Sequence, residues 1–412
     1  MFDDLDPASL GFDAGRLERI EPFLRETYID NGRLPNAQLL IARDGRPAYY
    51  CKLGQMGEDR GDLADDALFR IASMTKPVTS IAFMQLVERC KVALEDPVTR
   101  VFPEFADLQV YGGGGGAIPF APGKPAPPMR FVDLLTHMSG FTYGLQNRGN
   151  LDAAYRENNF DFARDHLDSE EFVARLSRLP LQFAPGSGWE YSVSTDVLGI
   201  AVERLSGMRL GDYFEKHIFA PLGMTDTRFG VAEGEGDRLV DAYAYRPGKA
   251  PRMVDAGPSS KLAKPGKFDS GGGGLVGTLA DYQRFTTMLL NGGQLDGVRI
   301  VSPKTLRLMR TNHLPGNADL TEMSSSLFSE ANNAGTGFGL GFAMVVDPAK
   351  TLMPSSAGEF YWGGAYSTAF FVDPVEGITM VFMTQLYPSS TYPIRRQLKT
   401  LIYSALAESR AS

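Results

Sequence analysis

"RIASMTKPVTS", residues 70–80, places a small serine, Ser73, three positions ahead of a lysine, Lys76. The run that follows repeats apolar residues at Val78, Ile81, Ala82 and Leu86, a helical spacing. Pro77 fits the first turn of such a helix, where its missing N–H would have no partner anyway. Ser73 then stands at the helix N-terminus, with Lys76 one turn on and facing the same way. A helix N-terminus favours developing negative charge, and a nearby ammonium lowers the cost of an alkoxide, so the arrangement suits a nucleophile. Taken alone, the same residues also describe a helix N-cap followed by a solvated lysine, because S-x-x-K arises by chance about once in a chain this long.

The 412 residues are 43% hydrophobic and 22% charged, which supplies a large core and, at this length, two lobes. A net charge of -8 argues against nucleic acid or an anionic membrane as partner. The opening "MFDDLDPASLGFD" lacks the basic and apolar blocks of a signal peptide. No apolar run approaches the roughly 20 residues of a membrane helix, so a cytoplasmic location is expected. Cys51 and Cys90 are too few for a disulfide scaffold and are expected as buried thiols.

Strand-like runs flank Asp44-Gly45 in "AQLLIARDGRPAYYCKLG" (37–54), a hairpin signature. A second hairpin joins "YSTAFFVDP" to "GITMVFMTQ", turning between Asp373 and Gly377. Helical spacing marks "DAGRLERIEPFLRETYIDNG" (apolar at Leu17, Ile20 and Leu24) and "IRRQLKTLIYSALAE" near the end. Both termini therefore build one sheet-containing lobe. Between them "FVDLLTHMSGF", "DSEEFVARLSRLPL" and "STDVLGIAVERLSG" read as helices, the last closed by Gly207. "YGGGGGAIPFAPGKPAPP" (111–128) is too rich in Gly and Pro for helix or strand and reads as a long surface loop.

"KFDSGGGGLVGTLADYQRFTTMLLNGG" (267–293) is a glycine-dense turn feeding a helix near Thr278. No Gly-Lys-Ser/Thr follows, and no G-x-G-x-x-G follows a clear strand, so close backbone packing beside a cleft explains it better than a phosphate cradle. G-x-S-x-G is absent, which removes the usual nucleophile elbow of α/β-hydrolases. His137, His166, His217 and His313 are scattered without metal-ligand spacing. A Ser-His-Asp triad needs only spatial closeness and stays open. No metal or organic cofactor is expected.

Further blocks accompany Ser73 and Lys76. "LQFAPGSGWEYSVSTDVLG" carries Tyr191 in a polar turn just ahead of a helix, and "EFYWGGAYSTAFFVDP" sets Trp362-Gly363-Gly364 before a strand. By residue type alone, Tyr191 also fits a buried aromatic with its hydroxyl paired, and Trp362 fits ordinary core packing. With "LLTHMSG", "PLGMTDT" and "WGGAYST" in this order, the chain resembles the serine β-lactamase and penicillin-binding-protein superfamily along nearly its whole length. It is most similar to the class C β-lactamase-like esterases, the family VIII carboxylesterases.

The resemblance implies a β-lactamase-like α/β (α+β) fold: an antiparallel sheet flanked by helices from residues 1–95 and 265–412, a mostly helical lobe from 96–264, and the active site in the cleft between. It implies Ser73 as the acylated nucleophile, Lys76 as the motif lysine and Tyr191 as general base or proton shuttle. The oxyanion hole would be the backbone N–H groups of Ser73 and Ala365, with Gly363 and Gly364 letting a carbonyl approach the strand. Substrate would meet Trp362, Tyr366 and Tyr143 as pocket walls. A phenol serves as base near neutrality only beside positive charge, which Lys76 supplies.

Two departures from the β-lactamase pattern matter. Val193 stands where Tyr-x-Asn would put an amide, and Trp362 stands where Lys-Thr-Gly or Lys-Ser-Gly would put a lysine. Both remove polar groups that would engage a β-lactam, and the esterase branch shows that tryptophan. The implied activity is hydrolysis of carboxylic esters, with short- to medium-chain acyl or aryl groups, through an acyl-enzyme on Ser73. A β-lactamase, a D-amino-acid peptidase and an acyltransferase share the fold, and a catalytically silent binding protein is the non-enzyme alternative. The expected partner is a small-molecule ester, and no oligomeric state is assigned.

Overall fold

Asp44 and Gly45 both adopt positive φ (52° and 76°), as a two-residue hairpin loop demands. They join β1 (Asn36–Arg43) to β2 (Arg46–Gly54) in the computed structural model, which describes residues 5–114, 120–121, 123–324 and 334–410. β3 (Thr336–Phe338), β4 (Ala343–Val345), β5 (Phe360–Gly363), β6 (Ala369–Asp373) and β7 (Ile378–Met383) complete a seven-stranded antiparallel sheet. Its order is β3-β4-β5-β6-β7-β1-β2, so the second hairpin delivers β7 beside the first strand of the chain. Leu39 faces Phe382 across that seam, and Arg43 faces Ile378.

The helices that frame the sheet and the site are α1 (Ile20–Leu24), α2 (Thr75–Glu88), α3 (Phe131–Leu135), α4 (Ser169–Leu176), α5 (Ser194–Ser206), α6 (Leu279–Leu290) and α7 (Ile394–Ser404). Alternate residues of a strand point to opposite faces, and here both faces are covered. Leu39, Ile41, Phe371 and Phe382 pack with Ile20 and Leu24 of α1 and with Leu398 and Ile402 of α7. Leu40, Phe370, Val372 and Val381 join the larger core, which includes α6 and the helices of the middle segment. Arg43 locks the chain ends together. It is buried, pairs with Glu376 at 3.1 Å, and donates to the carbonyls of Leu10, Glu376 and Glu408 at 2.8–2.9 Å. Those acceptors offset the cost of withdrawing a guanidinium from water.

Helix α2 departs from the one-sided stripe expected of it. Every residue from Thr75 to Leu86 is buried, so the helix is enclosed by the core on all sides and packs against α5. Lys76 is consequently not a solvated lysine. Helix α5 ends at Gly207 in the left-handed conformation (φ 71°), as its sequence predicts. Helix α6 starts where expected, with Thr278 Oγ accepting from the Asp281 N–H.

Three local expectations are corrected. Lys124–Pro125 pairs with Gln109–Val110, so the Gly/Pro tract contains a short ladder where no strand was expected. Residues 115–119 and 122 of that tract lie outside the described residues. Cys90 is exposed just beyond the end of α2, whereas Cys51 is buried in β2. Trp362 and Gly363 do not merely precede a strand but close one of their own, β5, before a tight turn into β6. Among the described residues no helix is long and apolar enough to cross a membrane.

Candidate active site

The strand Phe69–Arg70 pairs with Val276 and Gly277, then turns through a short 3-10 segment, Ala72–Met74, into α2. Ala72 sits at φ 45°, a conformation that costs a non-glycine residue about 1–3 kcal/mol. The strained residue immediately precedes Ser73. Tyr191, in the turn ahead of α5, donates its hydroxyl to Ser73 Oγ at 2.6 Å. Its ring is buried against His137, Tyr143 and Trp362, with centroids 5.1, 5.3 and 5.5 Å away.

Lys76 is 2% exposed, and its three N–H donors find three acceptors. They are the Gly272 carbonyl at 2.6 Å, the Tyr143 hydroxyl at 3.1 Å and Ser73 Oγ at 3.5 Å. The ammonium also lies 4.6 Å from the Tyr191 ring centroid, within cation–π range. Behind it, Asp196 of α5 accepts from Tyr143, from Ser270 Oγ at 2.6 Å and from the Gly272 N–H at 3.0 Å. A Cβ on Gly272 would run into both Asp196 and the Tyr143 hydroxyl. The glycine-dense turn is thus a close-approach surface, as its sequence suggests: its backbone supplies a carbonyl to Lys76 and an N–H to Asp196.

Burial dominates the electrostatics of this cluster. It raises the Asp196 carboxyl, a rise that Lys76 opposes. It also drives the Tyr143 phenol well above its ordinary value, with Asp196 adding to the shift. His137 is pushed well below the usual imidazole range, first by burial and then by Lys76, so it is neutral.

Ser73, Tyr191, Trp362, Gly363, Gly364 and Ala365 all line one cavity of about 130 Å³, whose other walls include Trp189 and Leu320. Tyr366 packs instead against Tyr387, with centroids 6.1 Å apart. Tyr143 turns its hydroxyl to Lys76 and Asp196 and belongs to the buried network rather than to the cavity wall.

Three residues of the site were not foreseen. Asp196 follows Tyr191 by five positions, with no spacing rule to flag it. His137, within "LLTHMSG", packs its ring at a tilt of 58° against Tyr191 and sets Nδ1 3.1 Å from Ser192 Oγ. Among the described residues Ser73 Oγ bonds Tyr191 and Lys76 and no histidine, so the open question of a Ser-His-Asp arrangement at Ser73 is answered. Arg395 reaches the cavity from α7, far off in sequence.

The sequence pattern that defines the Beta-lactamase family matches residues 20–403. This chain belongs to the β-lactamase family. Esterase EstB of Burkholderia gladioli is 32% identical over 97% of this chain and 98% of its own. An uncharacterized protein of Mycobacterium tuberculosis is 36% identical, covering 87% of this chain and 88% of its own. Among solved β-lactamase-fold structures, EstCE1, described as a hydrolase with promiscuous acyltransferase activity, superposes with a TM-score of 0.77. It is 28% identical and covers 98% of this chain and 99% of its own. Family and fold together make the protein a hydrolase of the β-lactamase fold.

Proposed function

We propose that this hydrolase is a serine carboxylesterase working through an acyl-enzyme on Ser73. The observation that carries the reading is the 2.6 Å contact between Tyr191 and Ser73, with the Lys76 ammonium beside both and the apolar cavity in front. In the form that reacts, Tyr191 has released its proton to solvent beside the Lys76 ammonium, and Ser73 Oγ–H donates to the resulting phenolate. Ser73 then attacks the ester carbonyl while Tyr191 takes its proton. The N–H groups of Ser73 and Ala365 receive the negative charge that forms on the carbonyl oxygen. The alcohol leaves with the proton from Tyr191. Water gives a proton to the same phenolate and attacks the acyl carbonyl, the acid leaves, and Tyr191 returns that proton to Ser73 Oγ.

The size and lining of the cavity suit a short to medium acyl or aryl group rather than a large ligand, since drug-sized pockets run to roughly 300–1,000 Å³. Similarity to EstB supports ester hydrolysis. The description of EstCE1 supports a second reading, in which an alcohol intercepts the same acyl-enzyme and the product is a new ester. A p-nitrophenyl ester tests both. Esterase action gives steady turnover, an acyltransferase gives turnover that rises with added alcohol and yields the transfer product, and a silent binding protein gives neither.

A further inference from the structure

Arg395, the second residue of α7, sets its guanidinium against the Trp362-Gly363-Gly364 segment, and its Nη2 donates to two carbonyls, Gly364 O and Thr368 O, each at 3.0 Å. The carbonyl of Gly364 and the N–H of Ala365 belong to one peptide unit, planar and trans, so the two groups point in opposite directions. A hand on the Gly364 oxygen therefore aims the Ala365 N–H. Arg395 holds that oxygen on its own side of the peptide, so the N–H points away from the guanidinium, and Ala365 lines the cavity together with Ser73. Among the described residues the Ala365 N–H has no protein acceptor, as a donor reserved for a substrate oxygen must not. We infer that Arg395 is a positioning residue for the oxyanion hole: it fixes the peptide whose N–H receives the developing charge, without touching substrate.

The surrounding residues fit that assignment. A Cβ on Gly363 would lie inside the guanidinium, so the first glycine is there to let Arg395 reach the strand. A Cβ on Gly364 would collide with Thr368 Oγ1 and the Ile71 carbonyl, so the second keeps the turn close to the chain that leads into Ser73. The turn is pinned elsewhere too. Gly364 N–H donates to Thr368 O at 2.9 Å, Ser367 N–H to Gly364 O at 3.0 Å, and Ser367 Oγ to Leu386 O at 2.7 Å. Ser367 itself holds a positive φ of 70°. Arg395 adds a charge-assisted donor, stronger than a neutral one, and spans both ends of the turn at once. Its positive charge behind the peptide also favours the polarisation that strengthens the Ala365 N–H as a donor.

This inference rests on acyl transfer at Ser73, and its test keeps the two apart. Arg395→Met, Arg395→Lys and Gly363→Ala are compared with wild type for p-nitrophenyl butyrate hydrolysis, affinity for a phenylboronic acid that forms a tetrahedral adduct on Ser73, and thermal melting. Gly363→Ala matters because it displaces the guanidinium while keeping its charge. Loss of one oxyanion donor costs about 10²–10³ in kcat, so a donor left present but misaimed should cost about 10- to 100-fold. The expected result is that fall in kcat for Arg395→Met and Gly363→Ala, with KM within about twofold and boronate affinity reduced by a comparable factor. Arg395→Lys should recover part of the loss, since an ammonium on the same face can still reach one carbonyl. Unchanged kcat in folded Arg395→Met and Gly363→Ala would overturn the proposal, and so would a raised KM at constant kcat, which would make Arg395 a substrate contact. If wild type leaves esters intact, the esterase reading fails, yet boronate affinity still decides the role of Arg395.

Discussion

Tyr191 holds Ser73 Oγ at 2.6 Å, while the Lys76 ammonium lies 3.5 Å from that oxygen and only 2.6 Å from the carbonyl of Gly272. The tyrosine is thus the closer partner of the serine. The lysine is anchored by the glycine-dense turn and by Tyr143.

Ser73 should be the residue that an activated ester or a fluorophosphonate modifies. Peptide mapping of the labelled protein is expected to return the peptide containing Ser73. Ser73→Ala should lose labelling and turnover together. Full activity in that variant, or a label on another serine, would remove Ser73 from the reaction.

Tyr191→Phe and Lys76→Ala should each lower kcat by about two or more orders of magnitude, the usual size of acid–base assistance. Combined, they should cost far less than the product of the separate losses, because each disables the same proton-transfer unit. The measurement is a double-mutant cycle on kcat. Strictly multiplicative losses would separate the two residues into independent roles.

The parts of the fold governed by local rules were legible in the sequence. Asp44-Gly45 specified one hairpin and the alternation around Asp373 to Gly377 the other, because loop geometry and strand period are short-range. Which faces were covered was less legible. Helix α2 carries Ser80 and Gln85 at buried positions, so its pattern resembled a half-exposed stripe although the core surrounds it. Within the site, Ser73, Lys76 and Tyr191 are carried by motifs with fixed spacing. Asp196, His137 and Arg395 come to the site from three separate helices or turns, and no period or motif in the chain records that proximity. Tyr143 was noticed as an aromatic beside a cleft, but its hydroxyl partners were visible only once α5 and the glycine turn were in place.

Acid should weaken the fold through His137. Burial and then Lys76 hold its pKa well below the ordinary value. The unfolded chain takes up a proton near the usual imidazole pKa while the folded chain does not, so stability is complete above that range and falls as pH drops through it. The limiting slope for one group is about 1.4 kcal/mol per pH unit. Asp196 and Glu359, raised by burial, act in the opposite sense, since their stability contribution falls as pH rises above the ordinary carboxyl range. Urea denaturation of wild type and His137→Gln between about pH 5 and 7 isolates the histidine. The variant is expected to start less stable and show the shallower dependence. Parallel curves would place the acid sensitivity elsewhere.

Lys399 and Glu359 form a buried pair at 2.5 Å in the cavity wall, with Tyr403 also donating to the carboxylate. Removing one member of a buried pair leaves the other charge uncompensated and costs about 3–5 kcal/mol. Lys399→Met should therefore destabilise strongly near neutral pH. Because Lys399 opposes the rise that burial imposes on Glu359, its loss lets that carboxyl protonate more readily, and the deficit should shrink in acid. A deficit independent of pH would mean that packing of the lysine stem, not its charge, is what the fold needs.

Neutral esters should be turned over far better than penicillins or cephalosporins. Trp362 presents its ring to Tyr191 and Phe338, both with centroids 5.5 Å away, so an aromatic surface stands where the family's β-lactamases keep a lysine. Val193 is fully buried and offers no amide. The cations that border the cavity are already engaged: Arg395 with the Gly364 and Thr368 carbonyls, Lys399 with Glu359, and Arg396 with the Leu352 carbonyl. A β-lactam carboxylate would lose hydration on entry without gaining a charge-assisted contact, worth about 1.5–3 kcal/mol, or roughly ten- to a hundredfold. The alcohol and acyl groups of a simple ester carry no such burden and gain from the apolar walls. The measurement is kcat/KM for p-nitrophenyl butyrate against nitrocefin. A nitrocefin value equal to or above the ester value would return the protein to the β-lactamases of its family. If Trp362 is the discriminating wall, Trp362→Lys should narrow the ratio by raising the nitrocefin value as well as lowering the ester value. A ratio left unchanged by that substitution would move the source of selectivity away from β5.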